Sequence, residues 1–180
     1  MLTSKHPKAR ACEVCERVFV PDRMGQLVCR PACAMARVRQ AKKAERASIK
    51  ARKEAIKTIA DLKREAQTAM NRWIVQVRDA DKPCISCGRH HQGQWHAGHY
   101  LSRGSAPQHA LNPMNVWKQC APCNTYLHGN LIPYRVRLIE LIGMEAVEAM
   151  ENDNAPHKWQ REELIAVRDT YRQKLKEMKP

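Results

Sequence analysis

Eight cysteines stand in two sets of four, and their spacing indicates the chemistry open to them. The first set is Cys12-x2-Cys15, thirteen residues, then Cys29-x3-Cys33; the second is Cys84-x2-Cys87, thirty-two residues, then Cys120-x2-Cys123. Two residues between thiolates let both face one tetrahedral ion, and a second close pair completes its shell. Each set therefore reads as a structural zinc site with no coordination position left for a substrate. A second group of reactive side chains lies in and after the long loop of the second set. It comprises His96 and His99 in Trp95-His96-Ala97-Gly98-His99-Tyr100, then Asn115, Asn124 and His128. If a helix begins at Cys123, Asn124 and His128 share one face of it. A hairpin followed by that helix would set His99 opposite this face, where a divalent metal could hold a phosphate while an imidazole deprotonates water. Blander readings stand beside these: His99 as a hydrogen-bonding group of the zinc fold, Asn124 as a helix cap. His90, His91, His109 and His157 have no partner at ligand spacing and read as surface groups.

Placing these groups requires elements around them. Glycine and proline are absent from Ala32 through Lys82, a run of Ala, Lys, Arg, Glu, Gln and Ile that reads as helix. Between Arg37 and Arg64 it carries eleven basic and three acidic side chains, with a narrow apolar stripe of Ile49, Ile56, Ile59 and Leu62. Continuous from Ala34 to Ala66, this helix would be roughly 50 Å long. The apolar set thickens at Met70, Trp73, Ile74 and Val77, at a spacing that wants a core to pack against. Before the helix, Val18-Phe19-Val20 and Leu27-Val28 flank a Pro-Asp turn and suit a small hairpin, with Cys33 at the helix start. From Lys82 to Asn130 only short strands or one short helix fit. Pro133 opens a helix through Val136, Ile139 and Ile142 that Gly143 ends, Met144 to Glu151 forms another, and Leu164 to Met178 a last one. Trp73, Trp95 and Trp117 are expected in the core, with Trp159 anchoring the last helix.

The composition narrows the partners. The 180 residues hold one ordinary domain or two small ones, which excludes a large multidomain enzyme. A formal charge of +14 makes nucleic acid the leading partner. No window approaches the roughly 20 apolar residues of a membrane span, and Met1 to Arg10 is polar, so the expectation is a chain in a reducing cytoplasm with no membrane partner. The basic helix supplies Arg37, Arg39, Lys42, Lys43, Arg46, Lys50, Arg52 and Lys53 as DNA contacts. Arg103, Lys118 and Arg135 are further candidates. Such contacts position a protein on DNA without reading sequence, so shape would select the substrate.

At this point the residues resemble something known. Cys84-x2-Cys87, Gly98-His99-Tyr100, Asn115 and Cys120-x2-Cys123-Asn124 look like an HNH, or ββα-metal, nuclease motif on a zinc-bound treble-clef scaffold. The runs Pro83-Cys84-Ile85-Ser86-Cys87-Gly88, Ala97 to Tyr100, Gln119-Cys120, Gly129-Asn130-Leu131 and Pro133-Tyr134-Arg135-Val136 extend the likeness. With the N-terminal cysteines, the basic helix and the Trp159 to Lys176 helix, nearly the whole chain is similar to the phage recombination family called NinG or Rap. That resemblance implies a phage- or prophage-encoded, metal-dependent endonuclease cleaving branched recombination intermediates such as Holliday junctions and D-loops, in company with other recombination proteins. It implies His99 as general base, Asn124 as ligand of a catalytic Mg2+ or Mn2+, and Asn115 as a loop-fixing residue. The sequence departs from the motif at Gly98, where HNH motifs place Asp or His. His96 substitutes if the strand bulges at that glycine, and His128 is a further candidate ligand.

The expected fold is α+β and mainly helical: a four-cysteine zinc module over 1–35, a basic helical linker over 36–65, and a zinc-stabilised HNH-like domain with C-terminal helices over 66–180. Paired cuts on a junction of near two-fold symmetry would be served by a homodimer. The runner-up function is a non-catalytic zinc module that binds branched DNA and recruits recombination proteins. RNA processing by the same site is a third reading.

Overall fold

The computed structural model describes residues 8–178, so the polar start at Met1 to Pro7 lies outside the described residues. The chain divides into two compact units, Met1–Lys57 and Thr58–Pro180.

In the first unit, strands β1 (Arg10–Ala11) and β2 (Val18–Phe19) pair antiparallel, Arg10 against Phe19 and Ala11 against Val18. The expected hairpin between the Val18 and Leu27 segments is therefore not the one formed. The Cys12-to-Cys15 knuckle is itself the turn: Glu16 N–H donates to the Cys12 carbonyl and Cys12 N–H to that of Arg17, each at 2.9 Å, with Glu16 left-handed at φ 59°. Leu27 joins only through its carbonyl, which accepts from Glu13 N–H. Helix α1 (Pro31–Ala55) follows, opened by Pro31, whose missing N–H costs nothing in a first turn. Cys33 is its one buried residue. Good helix formers and not packing carry its remaining length.

The long helix does not run on to Ala66. It stops at Ala55, and α2 (Ile59–Trp73) begins after Thr58, which is extended at ψ 165°. Thr58 Oγ1 accepts from Asp61 N–H while the Asp61 carboxylate accepts from Thr58 N–H, both at 3.1 Å. This capping box starts a new helix where propensity alone would have continued the old one. The stripe of isoleucines correspondingly buries little: Ile49, Ile56 and Ile59 are exposed, and Leu62 alone of the four is buried.

The second unit is built around a two-stranded ribbon, β3 (Trp95–His99) and β4 (Val116–Cys120), antiparallel in unbroken register from Trp95 opposite Cys120 to His99 opposite Val116. Successive side chains alternate between its faces. One face packs through Ala97 and Val116 against α2 and α5 (Arg161–Glu177), in a core with Leu62, Ala66, Met70, Ile74 and Leu164. The other packs through Trp117 against α3 (Leu131–Ile142) and α4 (Met144–Asn152), with Ile85, Tyr134, Leu138 and Val147. The ribbon is thus covered by helices on both sides. Trp73 lies tilted against Tyr171 with ring centroids 5.1 Å apart, Trp95 packs on the second cysteine set, and Trp159 donates to the Pro107 carbonyl at 3.1 Å.

A buried ionic hub ties α2's continuation to the ribbon. Asp79, 1% exposed, pairs with Arg78 and Lys82, while Arg78 also donates to the carbonyls of Pro113 and Val116 and lies over the Trp117 ring. Burial alone would raise the Asp79 carboxyl, but the hydrogen bonds from Arg78 and Lys82 outweigh it and hold the group below its usual range. Among the described residues, no helix is long and apolar enough to cross a membrane.

Candidate functional site

Each set of four cysteines comes together within its own unit, all four Sγ atoms within 4.8 Å of one another. The closer separations are 3.5 Å for Cys15 to Cys29 and 3.9 Å for both Cys29 to Cys33 and Cys87 to Cys120. A tetrahedron with metal–sulfur bonds of about 2.3 Å has edges of about 3.8 Å, so both sets could hold a metal ion such as zinc. Their electrostatics agree. Burial raises the Cys12 thiol, but the amides of Cys15, Val14 and Cys29 directed at its sulfur bring it down to about 6. Burial and the neighbouring sulfurs push Cys29 and Cys120 up to about 12. One ready thiolate beside thiols that resist ionising is the imbalance that a bound cation relieves. His91, expected at the surface, is half-buried with Nε2 3.1 Å from Cys87 Sγ; its ring also packs on the edge of Trp95. His109 likewise is buried, beside Asn112 and Asp153.

The second cysteine set frames the ribbon. Ile85, inside the Cys84-to-Cys87 knuckle, donates its N–H to the Lys118 carbonyl of β4, and β4 ends on Cys120. A single π turn, Pro122–Tyr126, then carries Cys123 and Asn124. This turn brings the Asn124 side-chain amide to 2.8 Å from His96 Nδ1. Whichever way that amide is turned, His96 Nε2 is left buried with no hydrogen-bond partner. The amide thus meets one ring nitrogen, Nδ1, while the orphaned nitrogen is Nε2 on the ring's other side, which leaves Nε2 as the imidazole's unused donor. His128 does not join them. The expected helix from Cys123 closes at Leu127, whose N–H bonds back to Pro122, and His128 turns left-handed at φ 48° and is exposed.

His99 is fixed from a different direction. Its Nε2 is 3.0 Å from the Ala110 carbonyl, which can only accept, so in the neutral ring Nε2 carries the proton and Nδ1 the free lone pair. Burial lowers its pKa, the Ala110 bond opposes that, and Arg103 lowers it further; the net displacement is downward. Asn115, fully buried, clamps the backbone around it. Its Oδ1 accepts from Leu101 N–H at 2.8 Å, and its Nδ2 donates to the carbonyls of Leu101 and His109 at 3.0 and 3.1 Å. Residues 101 and 109 lie on either side of the loop that presents Ala110 to His99. Strand alternation places His99 on the ribbon face opposite to His96 and Gly98, and no hydrogen bond among the described residues joins His99 to His96, Asn124 or His128.

No bulge occurs at Gly98: the pairing runs through it against Trp117 without interruption. None is required, because residues 96 and 98 already share a face. What occupies the space of a side chain at 98 is Gln119. A Cβ there would sit 2.1 Å from Gln119 Oε1. The Gln119 amide donates to Ser86 Oγ and the Gly129 carbonyl, and its Oε1 is buried without a partner. Sequence reasoning missed Gln119, although a glycine within a strand marks the close approach of another group.

The basic residues divide into available and committed. Arg39, Lys42, Lys43, Arg46, Lys50, Arg52 and Lys53 are exposed along α1, and Arg37 is exposed in an ion pair with Glu13. Two candidates are committed elsewhere. Lys118 is buried, its ammonium donating to the Ala80 carbonyl and lying 4.2 Å from the centre of the Trp95 ring. Arg135 grips Glu151 through two hydrogen bonds of 2.7 and 2.9 Å. Arg103 is exposed on a cleft of about 490 Å³ that also contains Lys63, Arg64, Gln67, Thr68 and Asn71 of α2. A second cleft shares Asn71 and continues past Arg72 and Gln76 to Trp95, His96 and Ala97.

Comparison with known proteins gives one consistent result. The family model described as Bacteriophage Lambda NinG protein matches residues 4–180. The chain is 39% identical over 194 residues to Protein ninG of Escherichia phage lambda, covering 96% of this chain and 95% of that one. It is 39% identical over 186 residues to Protein ninG of Salmonella phage P22, covering 93% and 91%, and 38% identical over 192 residues to that of Escherichia phage 933W, covering 96% and 95%. No solved structure matches.

Proposed function

The chain belongs to the NinG family, and on that premise we propose that it is a metal-dependent endonuclease that cuts branched DNA intermediates of phage recombination. The observation that carries this reading is the state of His99. Its proton is committed to the Ala110 carbonyl through Nε2, and burial keeps the ring neutral, so Nδ1 is a lone pair ready to take a proton from water. The order of ribbon, cysteine turn and Asn124 supports an HNH-like arrangement. His96 and Asn124 would hold the catalytic Mg2+ or Mn2+, which supplies charge stabilisation at the phosphate. His96 thus takes the place left empty by Gly98, and Asn115 positions the loop that sets the His99 ring. The thiolate clusters stay structural. Arg103 with Lys63 and Arg64 would grip phosphates on one unit, and the exposed basic residues of α1 on the other, giving affinity for shape and charge without base readout.

Cleavage of a labelled four-way junction by the wild type and His99→Ala, with and without added Mg2+, tests this reading. Metal-dependent cutting of the junction but not of linear duplex, lost in the variant at equal zinc content and equal binding, is the expected result. The placement of His99 on the ribbon face opposite to His96 and Asn124 favours a second reading, a branched-DNA-binding module that recruits other proteins. Tight junction binding without cutting under any divalent ion would select it.

A further inference from the structure

The outer face of α3 is apolar where a basic, helix-covered unit would be expected to show charge. Ile132 is 85% exposed, Val136 55% and Leu141 49%. Pro133, Arg137 and Glu140 complete a shallow cleft with Ile132 and Val136, and Arg137, Glu140 and Leu141 line a second with Trp117 and Ile85. Arg137 and Glu140 are both exposed, and among the described residues neither enters an ion pair. The sign pattern along the helix is Val136-Arg137-x2-Glu140-Leu141: apolar, positive, two residues, negative, apolar. Read backwards, it is the same pattern with the charges exchanged.

We propose that this face is an isologous interface with a second copy of the chain. In a two-fold contact between antiparallel helices centred midway between Arg137 and Glu140, residue i meets the partner's j wherever the two numbers have the same sum. Arg137 then faces the partner's Glu140, Glu140 the partner's Arg137, and Val136 the partner's Leu141. Both exposed charges at the centre meet their opposites and Val136 meets an aliphatic side chain; Ile132, whose counterpart by the same sum is Glu145 of α4, stays outside this central contact. DNA is a poor occupant of the same surface, because an unpaired carboxylate and a row of aliphatic side chains offer nothing to phosphates. The pairing stands without the nuclease reading; only its use, presenting two related sites to two strands of a junction, rests on that reading.

The test is oligomeric state by light scattering and sedimentation on the zinc-loaded full chain, without DNA or other divalent ions. The wild type is expected to dimerise. Arg137→Glu alone and Glu140→Arg alone each place like charges across the axis and should weaken the dimer on the order of a hundredfold. The double exchange in one chain should restore it. Mixing the two single variants should restore it too, as a heterodimer, since one then carries only acids and the other only bases at these positions. Circular dichroism confirms that each variant is folded. A wild type that stays monomeric at all concentrations overturns the proposal, as does a dimer indifferent to both single reversals or reversals that mixing fails to rescue. None of these outcomes bears on cleavage, so the interface and the nuclease reading fail separately.

Discussion

The His96 imidazole and the Asn124 amide lie 2.8 Å apart, joining the first strand of the ribbon to the residue that follows the last cysteine. Two side chains 28 positions apart in sequence are thus in hydrogen-bond contact through Nδ1, and His96 Nε2 is left buried and unpartnered. If they hold the catalytic metal, His96→Ala and Asn124→Ala should each weaken Mn2+ binding by at least about tenfold. Electron paramagnetic resonance titration of Mn2+ at constant zinc content measures this, and unchanged affinity in both variants would remove the metal from this place.

His99 should act as a base with an acid-side limit below that of an ordinary imidazole. Its folded pKa is displaced below 6.5, so protonation, which destroys the lone pair at Nδ1, occurs only at lower pH. Cleavage should therefore rise with pH through a midpoint under 6.5 and level off before neutrality. His99→Ala should lower the rate by ~10²–10⁴-fold while leaving junction binding intact. A midpoint above 7 in the wild type would assign the base to another group.

Gly98 has a packing role that can be measured apart from any activity. Gly98→Ala forces a Cβ against the Gln119 amide and should cost roughly 1–3 kcal/mol in denaturant unfolding. In a Gln119→Ala background the same change should cost less, because the obstructing amide is gone. Equal costs in both backgrounds would show that the strand yields elsewhere.

The Tyr100, Glu151 and Arg135 cluster predicts the shape of acid unfolding. Glu151 is held down to about 2, first by the hydrogen bonds from Arg135 and then by that from Tyr100. A depressed carboxyl contributes stability that is whole above its unfolded value, 4.5, and is lost as pH falls through about 2. Stability should decline across that window in the wild type. In Glu151→Gln it should already be lower at neutral pH and flatter below pH 4.5, read by urea unfolding at a series of pH values.

Much of the chain was legible because its signals are local. The cysteine spacings specify two clusters, Gly143 marks the end of α3, and helical periodicity marks α5, although α3 starts at Leu131, two residues before the expected Pro133. Two failures have the same cause: a local polar contact overrode a compositional trend. The break before α2 came from one Thr58–Asp61 capping box inside an alanine- and lysine-rich run, and the first hairpin came from the cysteine knuckle instead of its Pro-Asp turn. The fates of Lys118 and Arg135 were not legible at all. Burial of one and pairing of the other depend on Trp95, Ala80 and Glu151, which only the tertiary structure brings near. Gln119 was legible in principle, from a strand glycine whose space some cross-strand group had to fill.

Cys123 and Asn124 are consecutive, on one short turn. The sulfur that closes the second cluster and the amide offered to His96 therefore share a peptide bond, and whatever loosens the first displaces the second. A chelator strong enough to strip thiolate-bound zinc would silence this site by dismantling its scaffold, even if it never reached a catalytic ion. If the proposed cleavage is observed, inhibition by such a reagent and a requirement for magnesium would be separate phenomena. Withholding the divalent ion from zinc-loaded protein isolates the second. If the second cluster holds zinc, its loading would precede the pairing of His96 with Asn124.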